Sequence, residues 1–273
     1  MKILHVWDQA GVSCILAKYQ RRLGHSVSVL KRNGYDPFQI FTFYKEPLYD
    51  LDGKKFINFV IDESKKYDII HIHSLYKIIP QIRKKYKEKI IILHYHGSEL
   101  RSGLSNSSLH KLIKEADNKA NFVLLATPDL IKYQSEKRMY IENPIDLEHF
   151  KPMMQKQINE KKFFTFKTNQ TDTNSLTDYL QKNNIKIDVT IHDRTIMPIS
   201  YGHMPSFLSN YSVYIDIRIV NDQLLESLSK TALEALACNL QVLSYELKYL
   251  DEFPTKHNAT NVVKKIMAMM ESL

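Results

Sequence analysis

The sequence predicts an α/β protein of parallel sheets covered by helices. Three observations carry this. Short apolar runs rich in Ile, Val and Leu alternate with longer stretches whose apolar residues recur at helical spacing. The chain opens with a strand, a loop holding one glycine, a helix and a second strand, the order of a Rossmann-like unit. After Asn143 to Pro152, whose two prolines resist regular structure, the same alternation restarts.

The first strand is expected at Ile3–Trp7. Gly11 lies in the loop that follows, Gln9 to Ser13. A nicotinamide fingerprint would need Gly-x-Gly-x-x-Gly here, and a single glycine does not supply it. Ser13 is the expected cap of the first helix, Ile15, Leu16, Tyr19 and Leu23 its inner stripe, and Gly24 its close. Further strands are expected at Val27–Leu30, Ile69–His73, Ile90–His94 and Phe122–Ala126, apolar enough to be buried on both faces. Leu75, Ile78, Ile79, Ile82 and Tyr86 form one helical stripe, with Arg83, Lys84, Lys85, Lys87 and Lys89 crowded beside it. That pattern reads as a core-facing helix with a solvated face, or as a peripheral contact with an anionic membrane. The domain boundary is placed near 150, giving domains 1–150 and 151–273. The second is expected to run strand Phe163–Thr168, helix Asn174–Gln181, strands Ile187–Ile191 and Val213–Ile217, a helix after Glu226, strand Val242–Tyr245 and a helical tail, Asn261–Met270.

The 273 residues include 38 Lys and Arg against 30 Asp and Glu, a net charge of +8. A basic balance fits nucleic acid, an anionic membrane or a phosphorylated substrate, and also plain solubility. No run of 18 apolar residues occurs, so no spanning helix is expected. The N-terminus enters a strand directly, unlike a signal peptide. The two cysteines, Cys14 and Cys238, fall in apolar helical patterns. A reduced, cytoplasmic protein is expected, with any membrane contact at the inner face of the cell membrane.

Glu226 and Glu234 stand seven residues apart, with Ser227, Leu228, Ser229 and Lys230 between them. Ala232, Leu233, Leu236, Ala237 and Leu240 recur at helical spacing, so Ser229 or Ser227 is expected to cap a buried helix. Free amides at that helix N-terminus would seat a phosphate. Two hydroxyl-binding carboxylates around an anion site suit a nucleotide-sugar. The bland alternative is a surface Lys230–Glu234 pair worth about 0.3 kcal/mol and a solvated Glu226.

This segment resembles the E-x7-E motif of the family 4 retaining glycosyltransferases. Leu233–Cys238 resembles that family's "LEAMACG" run. Asn143-Pro-Ile-Asp146 with Phe150-Lys-Pro152, Asp68 to Ser74, His94 to Glu99 and Ala126 to Leu130 resemble further motifs of it, in order along nearly the whole chain. The resemblance implies the GT-B fold: two Rossmann-like domains facing a cleft, here with a short second domain. It implies an acceptor-side first domain, a donor-binding second domain and a C-terminal helix crossing back onto the first.

The resemblance also implies roles. Glu234 would hold the donor ribose, Glu226 and His96 the transferred sugar, and the amides of Leu228 and Ser229 the diphosphate. Lys230 would reach a phosphate oxygen, Gly11 would face the sugar or acceptor, and Glu99 and Arg101 would touch the acceptor. Where the family has Gly-Phe-Gly after the first glutamate, this chain has Ser227-Leu-Ser229. The family's Arg and Lys that neutralise the leaving diphosphate have no direct counterpart in Phe163 to Asp172. Lys167, Arg194 or Arg218 would have to replace them.

His71, His73, His94 and His96 collect at two strand ends, where open α/β sheets bind ligands. Four histidines suggest zinc. No cysteine or acidic cluster accompanies them, and the resembled family is metal-independent, so no metal and no cofactor is expected. The function expected is transfer of a sugar from a nucleotide-sugar donor to an acceptor hydroxyl, lipid-linked or on a glycan. The alternatives are a non-catalytic nucleotide-sugar or glycan binder, and a basic membrane or nucleic-acid interaction module, nucleic acid being the less expected partner.

Overall fold

Apolar β-rich runs build one sheet in each half of the chain. The computed structural model describes residues 1–104, 106–133, 136–153, 160–167, 173–220 and 223–271. Two units emerge: Met1–Asp36 with Ile40–Pro144 and Ala259–Leu273, and Pro37–Gln39 with Ile145–Asn258.

The first unit contains β1 (Lys2–Val6), α1 (Val12–Arg22), β2 (Ser26–Arg32), α2 (Ile40–Tyr44), β3 (Leu48–Tyr49), α3 (Gly53–Glu63), β4 (Ile69–His73), α4 (Ile79–Lys85), β5 (Ile90–Tyr95), α5 (Ser98–Leu104), α6 (Ser107–Lys119), β6 (Phe122–Leu125) and β7 (Arg138–Tyr140). The strands form one parallel sheet in the order β3-β2-β1-β4-β5-β6-β7. β4 is buried along its whole length, as a central parallel strand should be. Leu4, Val6, Ile70, Ile72, Ile91 and Leu93 are fully buried in the core, and Ile78, Ile79 and Ile82 of the basic stretch join them. Three cations of that stretch are engaged locally: Arg83 donates to the carbonyls of Lys87, Lys89 and Lys119, Lys85 pairs with Asp62, and Lys89 donates to the Tyr67 carbonyl.

α1 begins one residue before Ser13, and Ser13 does not cap it. Asp8, at the end of the first strand, does that work. Its carboxylate accepts from the amides of Gly11 (2.9 Å) and Ser13 (2.8 Å) and from the Ser13 hydroxyl (2.5 Å). A buried carboxylate needs donors, and a helix N-terminus supplies them with a favourable dipole. Gly11 sits at φ 82, a left-handed conformation that glycine adopts at little cost.

The second unit contains β8 (Phe163–Lys167), α7 (Thr173–Lys182), β9 (Val189–Asp193), α8 (Met204–Leu208), β10 (Val213–Ile215), β11 (Ile219–Val220), β12 (Gln223–Leu224), α9 (Lys230–Ala237), β13 (Gln241–Leu243) and β14 (Tyr249–Leu250). Its sheet runs β14-β13-β10-β8-β9, parallel except for β14, and β11 and β12 form a separate antiparallel pair. Thr168, the expected end of the first strand here, and the loop to Asp172 lie outside the described residues. The chain then returns to the first unit as α10 (Ala259–Glu271), which packs on α1. No described helix is long and apolar enough to cross a membrane.

Candidate functional site

The strand order of the second sheet reverses between β8 and β10, and ligands of open α/β sheets bind at such points beyond the strand C-termini. Two features stand there: Asp216, directly after β10, and α9, which the chain enters through the β11–β12 hairpin. α9 forms because Ala232, Leu233, Ala235 and Leu236 bury one apolar face. Ser229 caps it, its hydroxyl oxygen accepting from the Ala232 amide at 3.0 Å.

The amide of Ser229 does not face an open anion seat, contrary to the sequence expectation. It donates to Asp216 Oδ2 at 2.7 Å. Asp216 is fully buried, and this amide is a donor within its reach. The amides of Leu228, Lys230 and Thr231 have no acceptor among the described residues, as expected for a helix start. Arg218 binds the approach loop. It donates to the Ser227 carbonyl and, at 3.2 Å, to the Ser227 hydroxyl, so its role is to hold that loop.

Glu234 lies inside α9 with its side chain 8% exposed. Lys230 donates to Glu234 Oε1, and this pair is buried, not a solvated surface pair. The Lys230 ammonium also stands 5.8 Å from the Phe150 ring centre and 5.6 Å from that of Tyr201. His149 Nε2 donates to the Tyr201 carbonyl at 2.9 Å. Burial lowers the His149 pKa, opposed by that carbonyl and by the charges of Asp146 and Glu234, so the ring is neutral near pH 7.

Arg194 completes the cluster. It follows β9 in a turn held by Asp193, which accepts from the Thr195 amide (2.9 Å) and hydroxyl (2.6 Å). The Arg194 guanidinium lies 3.9 Å from the Phe38 ring centre and 4.9 Å from that of Phe166. Burial lowers its pKa, while the field of Glu234 raises it. Its Nε is buried without a hydrogen-bond partner among the described residues. A buried, unpartnered guanidinium nitrogen is costly, and an anion is its natural complement.

The other expected cation, Lys167, is in register with Asp193 on the neighbouring strand and pairs with it at 3.0 Å. The hydrogen bonds from Thr195, and then Lys167, hold the Asp193 carboxyl down to about 2. Glu226 is exposed and lies within the electrostatic reach of Tyr245. The two glutamates therefore differ in setting, one solvated and one buried among cations.

In the first unit, Gly11 is present in its loop, but its amide is taken up by Asp8. His96 is half-buried, 3.0 Å from His73 through its Nε2, with its pKa lowered by burial. Glu99 accepts from the His96 amide and, at 3.0 Å, from the Ser74 hydroxyl, so it braces the loop after β5. Arg101 makes a two-pronged ion pair with Asp129 at 2.7 and 2.9 Å. A Cβ on Gly97 would meet Arg101 Nη1 at 2.5 Å, and φ there is 137. Glycine is therefore needed between His96 and this ion pair.

Asp8, Asp216, His149 and Tyr201 are absent from the sequence expectation. The two aspartates carried one signal, an acid just beyond the end of an apolar strand.

No protein-family model matches the chain, and no curated protein matches it in sequence. Solved structures do match. AviGT4, a glycosyltransferase involved in avilamycin A biosynthesis, has a TM-score of 0.58 at 9% identity over 99% of this chain and 97% of its own. The UDP-GlcNAc 2-epimerase of Methanocaldococcus jannaschii has a TM-score of 0.55 at 9% identity over all of both chains. MnaA of S. aureus, solved with UDP, has 0.54 at 13% identity over 99% of this chain and 88% of its own. At such identities the likeness shows the fold: the chain has the GT-B fold, found here among glycosyltransferases and UDP-GlcNAc 2-epimerases.

Proposed function

We propose that the chain is a glycosyltransferase of the family 4 retaining type, moving a sugar from a nucleotide-sugar to an acceptor hydroxyl without metal. The observation that carries the reading is the cluster around Glu234. Two cations, Lys230 and Arg194, sit within its field at a helix start whose amides are unpaired among the described residues, and Arg194 has a buried nitrogen without a hydrogen-bond partner among them. That is the chemistry a diphosphate needs. Neighbours of the same fold include structures solved with UDP.

On this reading Arg194 stands in for the arginine that the resembled family carries elsewhere. Glu234 gives one oxygen to Lys230 and takes ribose hydroxyls with the other, and Glu226 takes the transferred sugar. The bond from the anomeric carbon to the diphosphate oxygen breaks, and the bond to the acceptor oxygen forms on the same face. The acceptor proton passes to the leaving phosphate. Arg194, Lys230 and the amides at the start of α9 stabilise the negative charge that grows on that phosphate. His96, Glu99, Arg101 and Gly11 remain assigned to sugar and acceptor by resemblance alone.

A second reading, binding without turnover, is favoured by one observation: the Ser229 amide already serves Asp216. A panel of nucleotide-sugars separates the readings. Incubation is followed by assay of free nucleoside diphosphate and by NMR of the sugar. Diphosphate release that Glu226→Ala abolishes supports transfer. Binding to every productive donor candidate without release supports the second reading. Epimerised sugar, or no binding at all, rejects the transferase.

A further inference from the structure

We propose that His5, His71 and His73 form a binding site for one divalent transition-metal ion, zinc in preference, inside the first unit. The site lies where the order of the first sheet reverses, between β1 and β4. His5 and His71 are register partners on these strands, and His73 is two residues further along β4. All three are fully buried, and each offers one ring nitrogen, these atoms lying within 4.8 Å of one another. His5 Nδ1 and His73 Nε2 are 3.0 Å apart. Two nitrogens on one zinc at 2.0–2.1 Å stand about 3.3 Å apart in a tetrahedron, so the His5–His73 spacing suits a shared ion, and His71, within 4.8 Å of both, would close on it.

Hydrogen bonding alone does not account for the arrangement. Burial lowers the pKa of each ring, so all are neutral and each carries one N–H. His71 Nε2 and His94 Nδ1 are 3.2 Å apart and share one of their two protons. The second proton is left on His71 Nδ1 or His94 Nε2, and neither atom has a hydrogen-bond partner among the described residues. His71 thus has one nitrogen held by a neighbour and one without a protein partner, the disposition of a metal ligand braced by an outer residue. His5 has the same build: its Nε2 donates to the buried Gln20 Oε1 at 2.7 Å, which leaves the Nδ1 lone pair directed at His73. Neutral imidazoles suit zinc, copper, nickel and cobalt. Three of them leave a fourth position on the ion.

Ion binding rearranges protons without releasing any. In the metal-free chain His73 Nε2–H donates to His5 Nδ1, and His96 Nε2–H donates to His73 Nδ1. With His73 Nε2 on the ion, its proton resides on Nδ1 and is donated to His96 Nε2, whose own proton moves to Nδ1. The ion therefore sets the tautomer of His96. No step of sugar transfer is routed through it.

The test uses the full chain, stripped with a chelator and titrated with zinc chloride by calorimetry, with cobalt absorption and 15N NMR of the histidine rings in parallel. One equivalent bound, a four-coordinate cobalt spectrum and a tautomer change at His96 are expected. Gln20→Leu should weaken zinc binding roughly 10- to 100-fold, and His73→Gln by more. His203→Ala, at an exposed histidine of the second unit, should change nothing. Circular dichroism checks that each variant folds, and the cobalt and NMR results on the unaltered protein need no variant. Absence of stoichiometric binding, a six-coordinate cobalt spectrum, or binding retained in folded His73→Gln overturns the proposal.

Discussion

The C-terminal strand ends of the two sheets share a topology and differ in chemistry. In the first unit they are filled by five packed imidazoles, His5, His71, His73, His94 and His96, neighbouring ring centres lying 4.3 to 5.3 Å apart. In the second unit they carry charge: Asp216, Lys230, Glu234 and Arg194. The comparison teaches how a parallel sheet can fill the same crevice in two ways. Neutral rings can donate and accept and so tolerate deep burial, although His71 Nδ1 and His94 Nε2 have no hydrogen-bond partner among the described residues. Fixed charges tolerate it only through partners, and among the described residues Arg194 Nε and Arg218 Nε of the second unit have no hydrogen-bond partner, the latter lying 3.3 Å from Asp216 Oδ1.

The largest expected effect separates the two regions by pH. Burial depresses the pKa of each of these five imidazoles, His5 to about 4. The folded state then binds fewer protons than the unfolded state below pH 6.5, so stability is intact above that value and is lost as pH falls towards 4. His5 alone corresponds to about 3 kcal/mol. Urea unfolding in chelator at pH 7.5 and pH 5 measures it, and an unchanged midpoint would break the contrast.

Next, Glu234→Ala leaves Lys230 buried without its counter-charge and should destabilise the fold by about 3 kcal/mol. The corresponding cut in the first unit is smaller. Asp8→Ala removes acceptors for three donors at the start of α1 and should cost about 2 kcal/mol. Both are read from denaturant midpoints, and a reversed order would show that charge in the second unit is better solvated than its burial implies.

Arg194→Gln should cost only about 1 kcal/mol of stability, the stacking on Phe38 and Phe166, because its Nε has no hydrogen-bond partner among the described residues. It should weaken nucleoside diphosphate binding by about 10- to 30-fold, the value of one charge-assisted hydrogen bond. Calorimetry with UDP and other diphosphates checks this. The smallest effect is expected at Arg101→Lys, which loses the two-pronged geometry with Asp129 and should cost about 1 kcal/mol.

Much of this was readable in the chain. The strands Ile69–His73 and Ile90–His94 could be found because buried parallel strands are short and apolar, and β4 has the bounds expected. A serine cap at Ser227 or Ser229 followed from a hydroxyl before an apolar helical stripe, and the structure uses Ser229. The histidine pairs on β4 and β5 were visible by alternation. His5 was not singled out, although it lies on the third central strand, because one histidine in a strand carries no pattern until the register aligns it with His71. The replacement of Ser13 by Asp8 as the cap of α1 was hidden for a similar reason: a side chain five residues away reached the amide first.

Local order was determined by the chain itself. Apolar periodicity, a glycine at a left-handed turn and a serine before a helix act over a few residues, and their physics is contained in those residues. Partnership was decided by packing. Which amide Asp216 takes, which cation stays unpaired and which rings face one another depend on groups brought within hydrogen-bond reach from distant positions, and a carboxylate or imidazole in isolation has no preference among them.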